Sequence, residues 1–281
     1  MAMEQRESKP ANITPLKEST PSQPISKPCW CGGTGALPRG RQYEARYTPE
    51  RKRVGNWCPC PIGEAVADEY FRKLELHKRE KEEERAFDVW MEEIPCRFYD
   101  WSLATHPNKD LAQRLLAILE NEDEEKPQSL FLYGGYGIGK TGLAIGYLRE
   151  RVFKEHETSI KFVRTPDLLT ELRSTYNKNA EDITEAAVLG KYINARVLLL
   201  DDLGAEQVTG SGWVEDRLYQ IIGARHDNLS CTIFTSNLSL DVLAQKLGER
   251  LVWRILEMCE PDGVIEVKGP NLRDKKRQTT R

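Results

Sequence analysis

The chain has 281 residues, a formal net charge of −3 at neutral pH and seven cysteines. This length suits one large domain plus a small module, and the net negative charge excludes a globally basic coat for nucleic acid. No stretch approaches the roughly 18 apolar residues needed to cross a bilayer, and the first residues lack the apolar core of a secretion signal. We therefore expect a soluble, cytoplasmic protein with no membrane partner.

Residues 1–27 are rich in Pro, Ser, Thr, Lys and Glu, a composition that predicts a disordered tail. Residues 28–62 contain two cysteine pairs, each spaced C-x-C. The four cysteines are Cys29, Cys31, Cys58 and Cys60. Four thiolates in a chain without a secretion signal predict tetrahedral Zn²⁺ binding, in a module that folds only with its metal. Their spacing is tighter than usual for zinc, and reduced bystander thiols are the alternative.

Residues 63–92 mix scattered apolar side chains with many Glu, Lys and Arg, which predicts a charged helical linker. A solvated helix is the simplest interpretation, and a docking surface for a partner is the alternative. After Pro95, strand-like and helix-like segments alternate to about residue 260. This alternation predicts an α/β domain with a parallel sheet flanked by helices, which we assign to residues 93–275, before a basic tail at 276–281.

A phosphate-binding loop is the strongest motif in the chain. GGYGIGKT matches G-x-x-x-x-G-K-[ST] and lies between a strand-like run, residues 129–133, and a helix-like run, residues 140–151. Glycines let backbone amides approach phosphates, the lysine neutralises charge, and the threonine offers its hydroxyl to Mg²⁺. The candidate nucleotide contacts are Gly134, Gly135, Tyr136, Gly137, Ile138, Gly139, Lys140 and Thr141. The sequence therefore predicts binding of ATP or GTP.

Two carboxylates end the apolar run VLLLDD. We predict that Asp201 organises Mg²⁺ and that Asp202 polarises the attacking water; a turn or a helix cap is the structural alternative. Glu is commoner than Asp at the second position, so we expect hydrolysis that is slow or depends on a partner. Asn237 ends the next apolar run, TIFTSN, and is a candidate to reach the terminal phosphate or to orient water.

Two arginines are spaced i and i+4 in LGERLVWRIL, which places Arg250 and Arg254 on one face of a helix. An arginine presented to a neighbouring subunit's nucleotide would neutralise the charge that develops during phosphoryl transfer. A surface pair that bridges Glu249 and Glu257 is the alternative, and the residues by themselves favour it.

The order GGYGIGKT, LLLDDLGAE, TIFTSNLS, GERLVWRI resembles the bacterial replicative helicase loaders of the DnaC and DnaI type, which are AAA+ ATPases. The resemblance covers about residues 92–275, and the IstB-type transposition helpers are close relatives. It implies an AAA+ P-loop fold with a reduced or absent lid, and ATP hydrolysis. It further implies the loop as Walker A, Asp201 and Asp202 as Walker B, Asn237 as sensor 1, and Arg254 as the arginine finger with Arg250 beside it.

The resemblance also implies residues that contact nucleotide and DNA. Arg273 in GPNLRDKK would contact the nucleotide of its own chain. Arg173, Tyr176 and Lys178 combine charge with a stacking ring, as sequence-tolerant binding of single-stranded DNA requires. A plain amphipathic helix is the alternative for this segment.

The function that the resemblance implies is a loader that self-associates through its ATP interface. It would grip a DnaB-type replicative helicase through the cysteine-rich module and deliver it to single-stranded DNA, with ATP as the switch between assembly and release. Two alternatives stay open. One is an IstB-type transposition helper, and the other is a zinc adaptor in which nucleotide only stabilises the fold.

Overall fold

The structure, a computed structural model, describes residues 32, 34, 36, 57–58, 60–123, 127–154, 157–177, 184–206 and 212–272. The chain divides into two compact units, residues 1–77 and 78–281. In the first unit, Ala36 and Trp57 form an antiparallel bridge. The α/β domain lies in the second unit.

In the part of the chain that the structure describes, five parallel strands form one sheet in the order β2-β3-β4-β1-β5. Their bounds are β1 Leu130–Tyr133, β2 Ile160–Arg164, β3 Val197–Leu203, β4 Cys231–Ser236 and β5 Val264–Glu266. The runs predicted as strands at 129–133, 197–202 and 231–237 are present within one residue of their expected ends. The carboxyl ends of parallel strands share one edge of the sheet, where ligands bind in such folds.

Eight α-helices are described. They are α1 Pro61–Glu93, α2 Lys109–Glu120, α3 Lys140–Lys154, α4 Thr165–Ser174, α5 Glu185–Ile193, α6 Trp213–Asp227, α7 Leu240–Leu247 and α8 Glu249–Cys259. Asn108 caps α2, because its Oδ1 accepts from the N–H of Leu111 at 3.1 Å. Within the described residues, no helix combines the length and the apolar content needed to cross a membrane.

The sheet separates two hydrophobic cores, as the alternation along β1 shows. Leu130 and Leu132 belong to the core formed with α2, α3 and the end of α1, whereas Phe131 belongs to the core formed with α4 to α8. Strands buried on both faces explain why the sequence contains continuous apolar runs rather than alternating ones. The predicted α/β fold with helices on both faces of a parallel sheet is therefore confirmed.

Helix α1 changes character along its length. Residues 72–81 are all exposed, as expected for a charged, solvated helix. Near its end, Ala86 and Trp90 are buried in the first core, and Glu93 forms an ion pair with Lys161 of β2. The hydrophobic core of the α/β domain therefore begins inside this helix.

The segment between α1 and α2 packs closely on α3. A Cβ at Gly142 would lie 2.0 Å from a ring carbon of Trp101, and a Cβ at Gly146 would lie 2.9 Å from Leu103. Both contacts are shorter than packed side chains allow, so the two glycines of α3 make room for the entering segment. This segment is thereby held against the helix that follows the phosphate loop.

Candidate nucleotide site

The loop that joins β1 to α3 has a backbone suited to phosphate. Gly137 and Gly139 have φ angles of 76° and 97°, in the left-handed region that residues with a Cβ avoid. Helix α3 begins at Lys140, so the loop runs directly into a helix N-terminus, where amides and the helix dipole favour an anion. A Cβ at Gly135 would meet no described atom within 4 Å, and Tyr136 is 75% exposed. The loop is therefore open around Gly135 and Tyr136.

The ammonium group of Lys140 lies folded into this loop. Its Nζ donates to the carbonyl oxygens of Gly134 and Gly135, 3.0 and 2.7 Å away, and to Oδ1 of Asn237, 2.7 Å away. The residue is only 6% exposed. Two side chains that the sequence assigned to one site thus touch, although 97 positions separate them.

Asp201 is buried at the end of β3, where two hydroxyl groups contact it. Its Oδ1 accepts from Oγ1 of Thr141 at 2.8 Å and from Oγ1 of Thr235 at 2.6 Å. Burial raises the pKa of this carboxyl above its ordinary value, and the hydroxyl donors partly oppose the rise. The carboxylate of Asp201 and the hydroxyl of Thr141 are oxygen ligands of the kind that Mg²⁺ prefers. The residues present therefore fit a magnesium ion.

Asp202 lies in an irregular stretch of the same strand. The pairing of β3 with β4 shifts register between Leu200 and Leu203, and Asp202 has a φ of 57°. Its N–H donates to Oγ1 of Thr235 at 3.0 Å, while its side chain is half-buried. The two neighbouring carboxylates consequently have different surroundings, one enclosed and one closer to water.

Thr235 is a site residue that the sequence analysis did not single out. Its hydroxyl donates to Asp201 and accepts from the backbone of Asp202, so one group holds both acidic residues. The hydroxyl of Ser236, the next residue, donates to the carbonyl of Leu203 at 2.6 Å. The polar triplet that ends TIFTSN was the available signal, but only its last residue was chosen.

The two arginines of α8 lie against α6. The guanidinium of Arg250 is 4.8 Å from the centre of the Tyr219 ring. Nη1 of Arg254 is 2.9 Å from Nδ1 of His226 and 3.7 Å from a carboxylate oxygen of Glu257. The contact with Glu257 is one that the surface-pair alternative expected. The role of either arginine as a finger stays a prediction.

Two of the three predicted DNA contacts are grouped around Trp213, the first residue of α6. The guanidinium of Arg173 is 4.7 Å from the centre of the indole ring, and Nε1 of Trp213 donates to Oη of Tyr176 at 2.9 Å. Tyr176 remains 55% exposed. Trp213 was not identified from the sequence, and Lys178 lies outside the described residues.

The predicted zinc ligands are only partly covered by the structure. Cys58 and Cys60 are buried just before α1, and Sγ of Cys60 accepts from the N–H of Gly63 at 3.4 Å. Cys29 and Cys31 lie outside the described residues, as does Arg273. Among the residues that are described, no group of three or more His, Cys, Asp or Glu could hold a metal. Zinc binding therefore stays a prediction.

The sheet order and the glycine-rich loop between β1 and α3 define a P-loop nucleotide-binding domain. Residues 86–280 match the family of IstB-like ATP binding proteins. The match spans more than half of the chain, and the protein belongs to this ATP-binding family.

Individual relatives agree with this assignment. The replicative helicase loader DnaI of Bacillus subtilis (strain 168) is 27% identical over 230 residues, 75% of this chain and 70% of DnaI. Crystal structures of the DnaC helicase loader and of DnaI give TM-scores of 0.52 and 0.50, each at 29% identity, and cover 62% and 63% of this chain and 100% and 93% of theirs. The predicted resemblance to helicase loaders of the DnaC and DnaI type is confirmed.

Proposed function

We propose that the protein loads a DnaB-type replicative helicase onto single-stranded DNA, with ATP as the switch between assembly and release. Its similarity to DnaI and to the DnaC helicase loader supports the loading role. The observation that carries the ATP switch is the contact between Lys140 and Asn237. This contact joins the phosphate loop to the residue that follows β4. A nucleotide bound at the loop would therefore act on the end of β4 through this contact.

Bound ATP with Mg²⁺ would supply the phosphoryl group for hydrolysis. Residues 134–141 would hold its phosphates through backbone amides, and Nζ of Lys140 would exchange carbonyl partners for phosphate oxygens. Thr141 and Asp201 would hold the metal, since their oxygens already lie 2.8 Å apart.

Hydrolysis needs a group that orients water, and the two aspartates differ in their suitability. Asp201 is enclosed by two hydroxyl donors, which suits a metal ligand. Asp202 is half-buried at the bulge, which suits a group that meets water. Asn237 would orient the terminal phosphate. Because Asp is one methylene shorter than Glu, turnover is expected to be slow or to depend on a partner.

Self-association would place Arg254, with Arg250 beside it, near the nucleotide of a second copy. The side chain of Arg254 is 34% exposed and lies beside Glu257 and His226. It would exchange these contacts for phosphate in the assembly. An arginine in that position contributes on the order of 10³ to 10⁵ in rate in related phosphoryl-transfer enzymes.

Contacts with DNA and helicase complete the proposal. Arg173 and Tyr176, together with Lys178, would bind single-stranded DNA by charge and stacking, and Arg273 would contact the nucleotide of its own chain. The cysteine-rich module would engage the helicase, with zinc held by its four cysteines, which are Cys29, Cys31, Cys58 and Cys60.

The test is ATP-dependent delivery of a purified replicative helicase to single-stranded DNA. Lys140→Ala and Arg254→Ala are expected to abolish delivery. Arg196→Ala serves as the control, because Arg196 is 77% exposed and pairs with Glu157 outside the site. Wild-type delivery by both site variants would refute the loader proposal. ATP turnover measured with and without single-stranded DNA separates a switch from an adaptor, which would bind nucleotide and never turn it over.

The family match itself favours a second candidate, an IstB-type transposition helper. Such a protein would engage a transposase and double-stranded target DNA. The full chain, immobilised with ATP, can be offered a purified helicase and a purified transposase in parallel. Selective retention of the transposase, together with a preference for double-stranded DNA, would favour the helper over the loader.

A further inference from the structure

We infer that His106 is a positioning residue of the nucleotide site, and that it acts together with the segment that follows β5, residues 267–272, which we term the C-terminal strap. Both hold carbonyl groups of the phosphate loop from outside. His106 lies outside every predicted nucleotide-binding motif, whereas the strap directly precedes Arg273, the predicted nucleotide contact. The inference rests on the proposed binding of ATP and adds to it the groups that set the direction of the loop amides.

His106 is completely buried between the entering segment and the loop. Its Nδ1 accepts from the N–H of Asn108 at 3.1 Å, and its Nε2 lies 3.3 Å from the carbonyl oxygen of Gly139. Because Nδ1 is an acceptor, the ring proton of the neutral imidazole is assigned to Nε2, which donates to Gly139. The imidazole lies beside the ring of Trp101, with 6.0 Å between centroids.

This donor fixes the orientation of one peptide group in the loop. The carbonyl of Gly139 also accepts from the N–H of Leu143 at 3.0 Å, as the first acceptor of α3. In a planar trans peptide, the N–H of the next residue points opposite to the carbonyl. With the Gly139 carbonyl held by two donors, the N–H of Lys140 is turned toward the phosphate side.

The C-terminal strap does the same for a second peptide. The N–H of Leu272 donates to the carbonyl of Gly137 at 2.9 Å, which turns the N–H of Ile138 to the opposite side. The strap is fixed at its other end by the N–H of Val267, which donates to the carbonyl of Tyr133 at 2.7 Å. Nδ2 of Asn108 donates to the carbonyl oxygen of Lys268 at 3.3 Å and so links the strap to the segment that carries His106.

The two groups meet at Gly139. A Cβ at this position would lie 2.8 Å from Nε2 of His106 and 2.9 Å from Cδ1 of Leu272. His106 and Leu272 therefore both occupy space that a Cβ at Gly139 would need. Burial lowers the pKa of the imidazole below its ordinary value, so that near neutral pH the ring acts as a neutral hydrogen-bond donor.

The test compares His106→Phe with His106→Gln in the full chain. Phenylalanine keeps an aromatic ring beside Trp101 but donates no hydrogen bond, whereas the amide of glutamine can still donate. In nucleotide-free protein, hydrogen–deuterium exchange of the loop peptide should be faster in His106→Phe than in the wild type. The dissociation constant of His106→Phe for ADP should be about tenfold above that of the wild type, as expected for one lost hydrogen bond. In His106→Gln, both the exchange rate and the dissociation constant should be close to those of the wild type.

Leu103→Ala is the matched control. Leu103 is buried in the same segment but contacts α3 at Gly146, away from the loop, so its loss should lower stability without slowing or speeding loop exchange. Leu272→Pro removes the N–H that donates to Gly137 and leaves His106 in place. This variant should also show faster hydrogen–deuterium exchange in the loop. Unchanged exchange and ADP affinity in His106→Phe, or an equal effect of Leu103→Ala, would overturn the inference. A wild-type protein that bound no ADP would refute the proposed function, while exchange in nucleotide-free protein would still decide this inference.

Discussion

The hydroxyl of Thr141 donates to Oδ1 of Asp201 across 2.8 Å, which joins the first turn of α3 to the end of β3. These residues are 60 positions apart in the sequence. The carboxylate is buried with hydroxyl groups as its donors, although hydroxyls offset the desolvation of a charge less than a cation does. Its position therefore favours metal binding over stability of the free protein.

Replacing Asp201 with Asn should make the nucleotide-free protein more stable. Burial raises the pKa of Asp201, so the stability associated with this group is fully present below its ordinary pKa and is lost as pH rises through the folded pKa. At pH 7 the neutral amide avoids that loss, and we expect a gain of about 1 kcal/mol in the free energy of unfolding. Mg²⁺-dependent turnover should be abolished.

Asp202→Asn is the control for this experiment, because Asp202 is half-buried and Asn also tolerates the left-handed backbone. Its free energy of unfolding should remain close to that of the wild type while turnover falls. Urea-induced unfolding at pH 7, with and without Mg²⁺-ATP, measures both variants. A clear loss of stability in nucleotide-free Asp201→Asn would contradict this account.

Glu122 and Arg151 form a buried ion pair between the end of α2 and α3, with side chains 8% and 6% exposed. Glu122→Ala leaves the guanidinium buried without this carboxylate, and we expect a loss of about 3 to 5 kcal/mol in the free energy of unfolding. The double variant Glu122→Leu with Arg151→Met should recover much of this loss, because it removes both charges.

A nearby exposed pair provides the comparison for this prediction. Lys154 and Glu120 lie 3.7 Å apart with 52% and 63% of their side chains exposed. Glu120→Ala should therefore change the free energy of unfolding by less than about 1 kcal/mol. Equal losses from Glu120→Ala and Glu122→Ala in urea-induced unfolding would show that burial does not set the strength of the Glu122–Arg151 pair.

Two glycines in helices should respond to alanine in opposite directions. At Gly142 a Cβ would lie 2.0 Å from the Trp101 ring, whereas at Gly190 in α5 its nearest neighbour would be 3.6 Å away. Gly142→Ala should lower the free energy of unfolding by about 1 to 3 kcal/mol through overpacking. Gly190→Ala should raise it by about 0.5 to 1 kcal/mol, because alanine favours the helix. A stabilising Gly142→Ala would show that the entering segment does not pack there.

Trp213 should matter for DNA although it is not one of the predicted contacts. Trp213→Ala removes the ring beside Arg173 and the donor to Tyr176, so we expect affinity for single-stranded DNA to fall about tenfold, within the range for one stacked base. Trp213→Phe keeps a ring and should lose less. Fluorescence anisotropy at two salt concentrations measures the effect, with Arg196→Ala as the control. Wild-type affinity in Trp213→Ala would exclude this role.

His106 should make stability depend on pH. Its folded pKa lies below the ordinary value of 6.5, mainly because of burial and also because of the charge on Lys109. The unfolded chain therefore binds the proton more readily. The contribution of His106 to the free energy of unfolding is fully present above pH 6.5 and is lost as pH falls through the folded pKa. The difference between wild type and His106→Gln in free energy of unfolding, followed from pH 8 to about pH 5, isolates this group. A difference that does not vary with pH would contradict the prediction.

The sequence was sufficient to predict groups that lie together along the chain. The phosphate loop, the Asp201–Asp202 pair and the strand before each of them are contiguous patterns, because a strand, its turn and the following helix are set by neighbouring residues. The order of the motifs then predicted the family. Predictions that fall on Cys29, Cys31, Lys178 and Arg273 concern residues outside those that the structure describes.

Residues that depend on the meeting of distant segments were not predicted. His106 is one histidine in a short THPN segment, and its partner Gly139 is 33 positions away. Thr235 reaches Asp201 across 34 positions, and Trp213 reaches Tyr176 across 37. No periodicity or spacing rule connects such pairs, because their proximity follows from how the sheet and helices pack.

The left-handed backbone at Asp202 gives a reason for the shorter acid at this position. Among residues with a Cβ, Asp and Asn adopt this conformation most readily, whereas Glu would add strain of roughly 1 to 2 kcal/mol. A substitution that lengthened the carboxylate to reach water would therefore strain the strand that also carries Asp201. The backbone geometry of β3, and not just the chemistry of the carboxylate, therefore favours the shorter acid at this position.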